Sequence, residues 1–155
     1  MHILVVGGGM GGTILANNLA RRLSGELEQG SSKITMLSAS DKHMYQPGLL
    51  YVAVGKMSTS ELYRDQKSLL EPSIDFHVDP VEKFDLDNNA VTTKSGKKIS
   101  YDIICIATGS RGNAAGIPGL AENACQFYTE ADALAMYKKL QKFEGGKVVV
   151  ATGVP

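Results

Sequence analysis

The chain of 155 residues has no excess charge of either sign: sixteen Lys and Arg stand against sixteen Asp and Glu, for a formal net charge of zero. A nucleic-acid binder ordinarily shows a basic excess that tracks the phosphate backbone, so the balance argues against a DNA- or RNA-binding role. Cysteine is almost absent. Cys105 and Cys125 are too few to frame a disulfide-stapled secreted domain, and the first residues lack the charged region and cleavage site of a signal peptide. The chain is therefore expected to be cytoplasmic. No apolar run approaches the ~18 residues needed to cross a bilayer, so any membrane contact within it is expected to be peripheral. Internal repeats and low-complexity segments are missing as well. His2, His43 and His77 stand at no metal-ligand spacing with either cysteine, so no metal site is expected, and the histidines read as surface or capping residues.

What is present in excess is glycine, at 17 of 155 residues, against an average of about 7%. Its placement is informative. His2 to Val6 is a short apolar, β-branched run that ends in Gly7-Gly8-Gly9-Met10-Gly11-Gly12. From Met10 onward Ile14, Leu15, Ala16, Leu19, Ala20 and Leu23 recur at helical spacing, with Ser24-Gly25 as a stop. Lys33 to Leu37 is a second β-prone run, so the segment reads as one βαβ unit. Within it Gly7, Gly9 and Gly12 satisfy G-x-G-x-x-G, the pattern of a dinucleotide-binding turn. The first glycine allows the turn, the second lets a pyrophosphate approach the backbone, and the third lets helix and strand pack closely. The helix start then offers free N–H groups and a positive dipole end to the phosphates. After the second strand such units carry an Asp or Glu for a ribose; this chain has Ser38, whose hydroxyl can accept more weakly or can be simply a strand-end residue. Asp41, three residues on, reads as a loop cap.

Further along, Gln46-Pro47-Gly48 punctuates the chain, Leu49 to Val54 is apolar without clear period, and Thr59 to Leu70 reads as broken helix. From Ile74 to Ser100 four short runs are separated by turn residues, which predicts an antiparallel meander. Asp102 to Ala107 reads as the most buried strand of the protein and runs into Thr108-Gly109. Thr129 and Asp132 imitate a capping box ahead of a helix lined by Ala133, Leu134, Tyr137, Leu140 and Phe143, which Gly145-Gly146 ends. Lys147 to Ala151 reads as a last strand.

The N-terminal GGGMGG, the later Tyr101-Asp102-Ile103-Ile104-Cys105-Ile106-Ala107-Thr108-Gly109 and the meander between them resemble the FAD domain of the two-dinucleotide flavoprotein disulfide reductase superfamily. The resemblance implies an α/β, Rossmann-like FAD-binding fold with a parallel sheet and a β-meander crossover, in which Ala107, Thr108 and Gly109 pass close to FAD. Gly7, Gly9, Met10, Gly11 and Gly12 would hold its pyrophosphate. Within the superfamily, Tyr45 to Gly55 is similar to a segment of sulfide:quinone oxidoreductases, and in those enzymes a serine often stands nine residues before the proline, as Ser38 does before Pro47. That likeness implies that Gln46 and Pro47 lie beside the flavin ring and that Val81 offers backbone bonds to the adenine. The residues alone also fit a packed loop and helix start. The same enzymes resemble one another in a redox cysteine ahead of a helix like this one. Cys125 lies in the right region, but counting back from Asp132-Ala133 without a gap puts the family cysteine on Tyr128. Cys125 is thus a candidate catalytic thiol or an ordinary loop thiol, while Cys105 reads as core.

On the same resemblance the last strand of the FAD domain, with its Gly-Asp turn, comes after a second domain, and this chain contains no Gly-Asp pair. The expectation is an incomplete FAD domain over 1–112, a connecting loop and helix over 113–145, and the start of a second dinucleotide-type domain over 146–155, in a chain inactive by itself. Gly153-Val154-Pro155 puts proline where a second G-x-G would need glycine, which speaks against a nicotinamide site. Three readings stay open: a parent enzyme passing electrons from sulfide through FAD to a quinone, one resembling a type II NADH:quinone oxidoreductase, and a nucleotide-binding module without redox chemistry. Sulfide or quinone would be met only through the remainder of the parent, for which peripheral membrane contact and homo-oligomer formation are left open.

Overall fold

The computed structural model describes residues 1–151 and divides the chain into two compact units. The first comprises Met1–Tyr45 and Tyr63–Arg111; the second comprises Gln46–Leu62 and the chain from Gly112 onward.

In the first unit β1 (His2–Val6) leads through the glycine turn into α1 (Met10–Arg22), which ends just before the expected stop, and Ser24-Gly25 then opens a short second helix, α2 (Ser24–Glu28). β2 (Lys33–Ser38) then lies parallel to β1, with Val6 opposite Leu37. A small antiparallel pair follows, β3 (Lys42–Met44) with β4 (Tyr63–Asp65). The span predicted as broken helix is two 3₁₀ turns, Thr59–Leu62 and Lys67–Leu69, on either side of β4. β5 (Ile74–Val78) is the clearest departure from expectation. It lies parallel to β2 in the main sheet and is not part of the meander. The meander itself is β6 (Val81–Asp85), β7 (Ala90–Thr93) and β8 (Lys98–Ser100), all antiparallel neighbours. β9 (Ile103–Ile106) returns to the main sheet beside β1, giving the parallel order β5-β2-β1-β9.

The alternation of side chains along β1 builds the layers. Ile3 and Val5 face a core shared with Ala16 and Ala20 of α1, Ile34 and Met36 of β2, and Ile74 of β5. Leu4 and Val6 face the opposite way, into a second core with Leu37, Val91 of the meander and Tyr101. The sheet is thus covered by helix on one face and by meander on the other, which is why β1 and β2 read as continuous apolar runs. β9 sits at the sheet edge. Ile103 is 46% exposed and Ile106 56%, so the strand expected to be the most buried is half in solvent, because only one neighbour covers it.

In the second unit α3 (Leu49–Ala53) packs on α5 (Glu130–Gln141), with Leu49, Val52, Ala53 and Ala133 buried. Gly55 follows α3 without a side chain, where a Cβ would run into the Tyr137 ring. A short α4 (Leu120–Asn123) precedes α5. Thr129 caps α5 as predicted: its hydroxyl accepts from the Asp132 N–H, and the Asp132 carboxylate accepts from the Thr129 N–H. Lys147 to Ala151, predicted as a strand, is not one. Val148, Val149 and Val150 are 62%, 79% and 84% exposed, and a β-prone run without a neighbouring strand has no ladder to join. Gly153-Val154-Pro155 lies outside the described residues.

Candidate functional site

Three glycines of the turn have three distinct surroundings. Gly7 has φ +115°, and a Cβ there would run into the carbonyl of Ala107. A Cβ on Gly12 would collide with the carbonyl oxygen of Gly7, so this glycine lets α1 start tightly against the end of β1. Gly9 differs. A Cβ on it, and likewise on Gly11, would meet nothing within 4 Å. Both positions face open space.

The start of α1 is chemically ready for an anion. The first helical bond runs from the Thr13 N–H to the Gly9 carbonyl at 2.9 Å, and the N–H groups of Gly9, Met10, Gly11 and Gly12 find no acceptor among the described residues. No side chain caps this end, and no acidic residue occupies the first turn, whereas Arg21 and Arg22 lie in the last. The uncapped, carboxylate-free first turn favours negative charge at the N-terminal end of this 13-residue helix, and the two arginines complement the opposite end. Met10 is 47% exposed at the mouth of the turn.

The second glycine motif, a hundred residues away in sequence, is in contact with the first. The Ala107 N–H donates to the Val6 carbonyl at 2.7 Å, and the Gly7 N–H donates to the Leu37 carbonyl at 2.8 Å. The exits of β1, β2 and β9 therefore stand side by side, with Thr108 and Gly109 exposed at the rim. From β1 the chain moves first to β2 on one side and later to β9 on the other. The carboxyl end of β1 is a topological switch point, where ligands of open parallel sheets bind.

Ser38 ends β2 and is buried, at 7% exposure. Its Oγ accepts from the Ser40 N–H at 3.3 Å and lies 2.5 Å from where a Gly8 Cβ would be, so Gly8 is held to glycine by Ser38 itself. Asp41 contributes its backbone, accepting the Gln66 N–H at 2.7 Å. Val81 opens β6 opposite Thr93, and the register slips between Val81 and Lys83, so this end of the strand is bulged. Beside it the Ser95 hydroxyl donates to Asp79, a bond that holds the Asp79 carboxyl below the usual carboxylate range.

Sequence reasoning missed a set of polar side chains beneath the turn. His43 Nδ1 is 3.1 Å from the Gly8 carbonyl and 3.0 Å from Gln66 Oε1, and Gln66 Nε2 donates to Thr13 Oγ1 at 2.9 Å. Gln66 is fully buried and Thr13 is 7% exposed. His43, expected as a surface or capping residue, is half-buried in this network. A single histidine and a single glutamine 23 positions apart carry no spacing signal by which to find them.

Gln46 and Pro47 fall in the second unit, where both are exposed in a 3₁₀ turn ahead of α3. Cys125 belongs to the same unit, free and exposed in the coil between α4 and α5. Cys105, also free, is half-buried in β9 and packs against the helix-side core.

The model of the pyridine nucleotide-disulphide oxidoreductase family matches residues 1–154. The chain belongs to that family. Within it, the chain is 37% identical over 152 residues to a sulfide-quinone reductase of Aquifex aeolicus, covering 96% of this chain and 34% of the relative. It is 30% identical over 153 residues to the mitochondrial sulfide:quinone oxidoreductase of Mus musculus, covering 96% and 33%. The X-ray structure of the Aquifex aeolicus sulfide:quinone oxidoreductase superposes with a TM-score of 0.74 at 33% identity, over 91% of this chain and 32% of that one. The chain thus spans about a third of the length of these relatives. A structure of NDH2 from Plasmodium falciparum shares the fold, with a TM-score of 0.64 at 19% identity. This family member has a Rossmann-like α/β fold with a meander crossover. No helix of the described residues is long and apolar enough to cross a membrane.

Proposed function

We propose that the chain binds FAD at the glycine turn and serves a flavin-dependent oxidoreductase that takes electrons from sulfide and delivers them to a quinone. The observation that carries the reading is the meeting of the two motifs: the Gly7–Gly12 turn and Ala107-Thr108-Gly109 stand together at the switch point of the sheet. The residues fit the cofactor. Gly9 and Gly11 leave room for a pyrophosphate, the unpaired N–H groups of the α1 start face it, and no carboxylate competes at that end. Bound FAD would accept an electron pair from the donor and pass it to the acceptor. The likeness to sulfide:quinone oxidoreductases at 37% and 30% identity favours sulfide as donor.

In this reading each residue has a limited task. The backbone from Gly9 to Gly12 binds the phosphates, Ser38 Oγ offers a hydrogen bond to the adenosine ribose, and Val81 offers backbone groups to the adenine. Ala107, Thr108 and Gly109 border the flavin side of the crevice. Cys125 supplies an exposed thiol. Purified chain loaded with FAD and passed over a desalting column should retain yellow colour and quench flavin fluorescence on titration. Failure of both, with ADP still bound, would leave a nucleotide-binding module without redox chemistry.

A further inference from the structure

The network beneath the turn fixes a proton. The Gly8 carbonyl oxygen can only accept, so the His43 Nδ1 that lies 3.1 Å from it must donate. Gln66 agrees: its Nε2 donates to Thr13 Oγ1 at 2.9 Å, with the Met36 sulfur at 3.8 Å beyond, which turns Oε1 toward His43 as a second acceptor at 3.0 Å. The Thr13 hydroxyl, accepting from Gln66, has the Gly8 carbonyl at 3.4 Å and His43 Nδ1 at 3.5 Å, and because that nitrogen already carries the proton the hydroxyl donates to the carbonyl. Two side-chain donors thus pull one carbonyl inward.

A trans peptide points its carbonyl and its N–H in opposite directions. With the Gly8 carbonyl drawn into the unit, the N–H of the same peptide group, that of Gly9, is turned outward to the open space where a Gly9 Cβ would meet no atom within 4 Å. Nothing in the turn's own sequence enforces this, because a Gly8–Gly9 peptide flanked by glycine can rotate at low cost. We propose that His43, protonated at Nδ1, is a positioning residue for dinucleotide binding: with Thr13 and Gln66 it locks the Gly8–Gly9 peptide so that the Gly9 N–H faces the pyrophosphate. The inference rests on the glycine turn being the phosphate site, and it assigns His43 no contact with the nucleotide.

Two measurements test it. In ¹⁵N-labelled chain without nucleotide, the His43 ring shifts should report a proton on Nδ1; a proton on Nε2 alone overturns the proposal. FAD titration then compares His43→Asn, whose amide N–H can take the place of Nδ1–H, with His43→Phe, which keeps the ring and loses the donor. The Phe variant should bind FAD about tenfold more weakly and the Asn variant within about twofold of the original, one lost hydrogen bond being of that order. Unchanged affinity in the Phe variant, or equal loss in both, overturns the positioning role. If the unsubstituted chain bound no FAD, the functional reading would fall, while the tautomer would still decide whether His43 holds Gly8.

Discussion

The carbonyl of Ala107 occupies the place where Gly7 would carry a side chain. Gly7 follows β1 and Ala107 follows β9, so the Gly7–Gly12 turn and the Ala107-Thr108-Gly109 turn are pressed together with no room for a methyl group between them. Gly7 is therefore held to glycine by the fold itself, whereas Gly9, with open space around it, is not.

The two glycines should separate in experiment. Gly9→Val places a branched side chain where the pyrophosphate must approach, and it should lower FAD affinity at least about tenfold while leaving the thermal midpoint nearly unchanged. Gly7→Ala should instead destabilise the chain by more than about 1 kcal/mol, from positive φ and from the clash with Ala107. Calorimetric titration and thermal unfolding of both variants check this; equal FAD affinity in Gly9→Val would remove the dinucleotide site.

Ser38 already accepts one weak bond from the Ser40 N–H, and among the described residues its hydroxyl donates to none. Ser38→Ala should weaken FAD binding by ~0.5–1.5 kcal/mol, the value of one neutral hydrogen bond. Isothermal titration measures it. No change would make Ser38 a strand-end residue whose role is to pack on Gly8.

Acid should weaken the first unit through His2. Burial first, and then the charge of Lys33, hold its pKa below the ordinary 6.5, against the opposing pull of a hydrogen bond to the Ser100 backbone and of the charges of Asp102 and Asp75. Because the folded state disfavours the imidazolium, this contribution to stability is complete above pH 6.5 and is lost as pH falls through the lower folded value. His2→Gln, whose amide reaches toward the Thr35 hydroxyl that His2 Nε2 meets at 2.8 Å, should flatten that part of the stability profile. Thermal midpoints between about pH 5 and 8 read the effect; identical slopes in the two proteins would remove His2 as the source.

Cys125 is exposed, but the chain's other thiol, Cys105, is half-buried in β9, and thiol–disulfide chemistry needs a second accessible sulfur. Anaerobic titration of FAD-loaded chain with sulfide should give no fast flavin bleaching and no thiolate–flavin charge-transfer band, and Cys125→Ser should alter neither result. Rapid bleaching abolished by Cys125→Ser would place the working sulfur within these residues.

The dinucleotide turn, the α1 that follows it and the capping box at Thr129 were legible from sequence because each is set by interactions within a few residues: a positive φ, free N–H groups, a hydroxyl reaching three positions ahead. The two-faced burial of β1 was legible for a related reason, since a run apolar at every position has no face left for water. Whether Ile74 to Val78 joins a meander or the parallel sheet is a question of which strand it finds, and Ile34 of β2 decided that against the local turn signals. The edge position of β9 and the missing strand at Lys147 to Ala151 are likewise facts about neighbours, which hydrophobicity cannot reveal. The network of Thr13, His43 and Gln66 is the extreme case. Its members are separated by up to 53 positions and share no period; Thr13 and His43 reach the Gly8 carbonyl and Gln66 links them, only because α1, β3 and the turn after β4 meet beneath the glycine turn. The glycine turn is written in contiguous residues; the side chains that meet its Gly8 carbonyl are brought there only by folding.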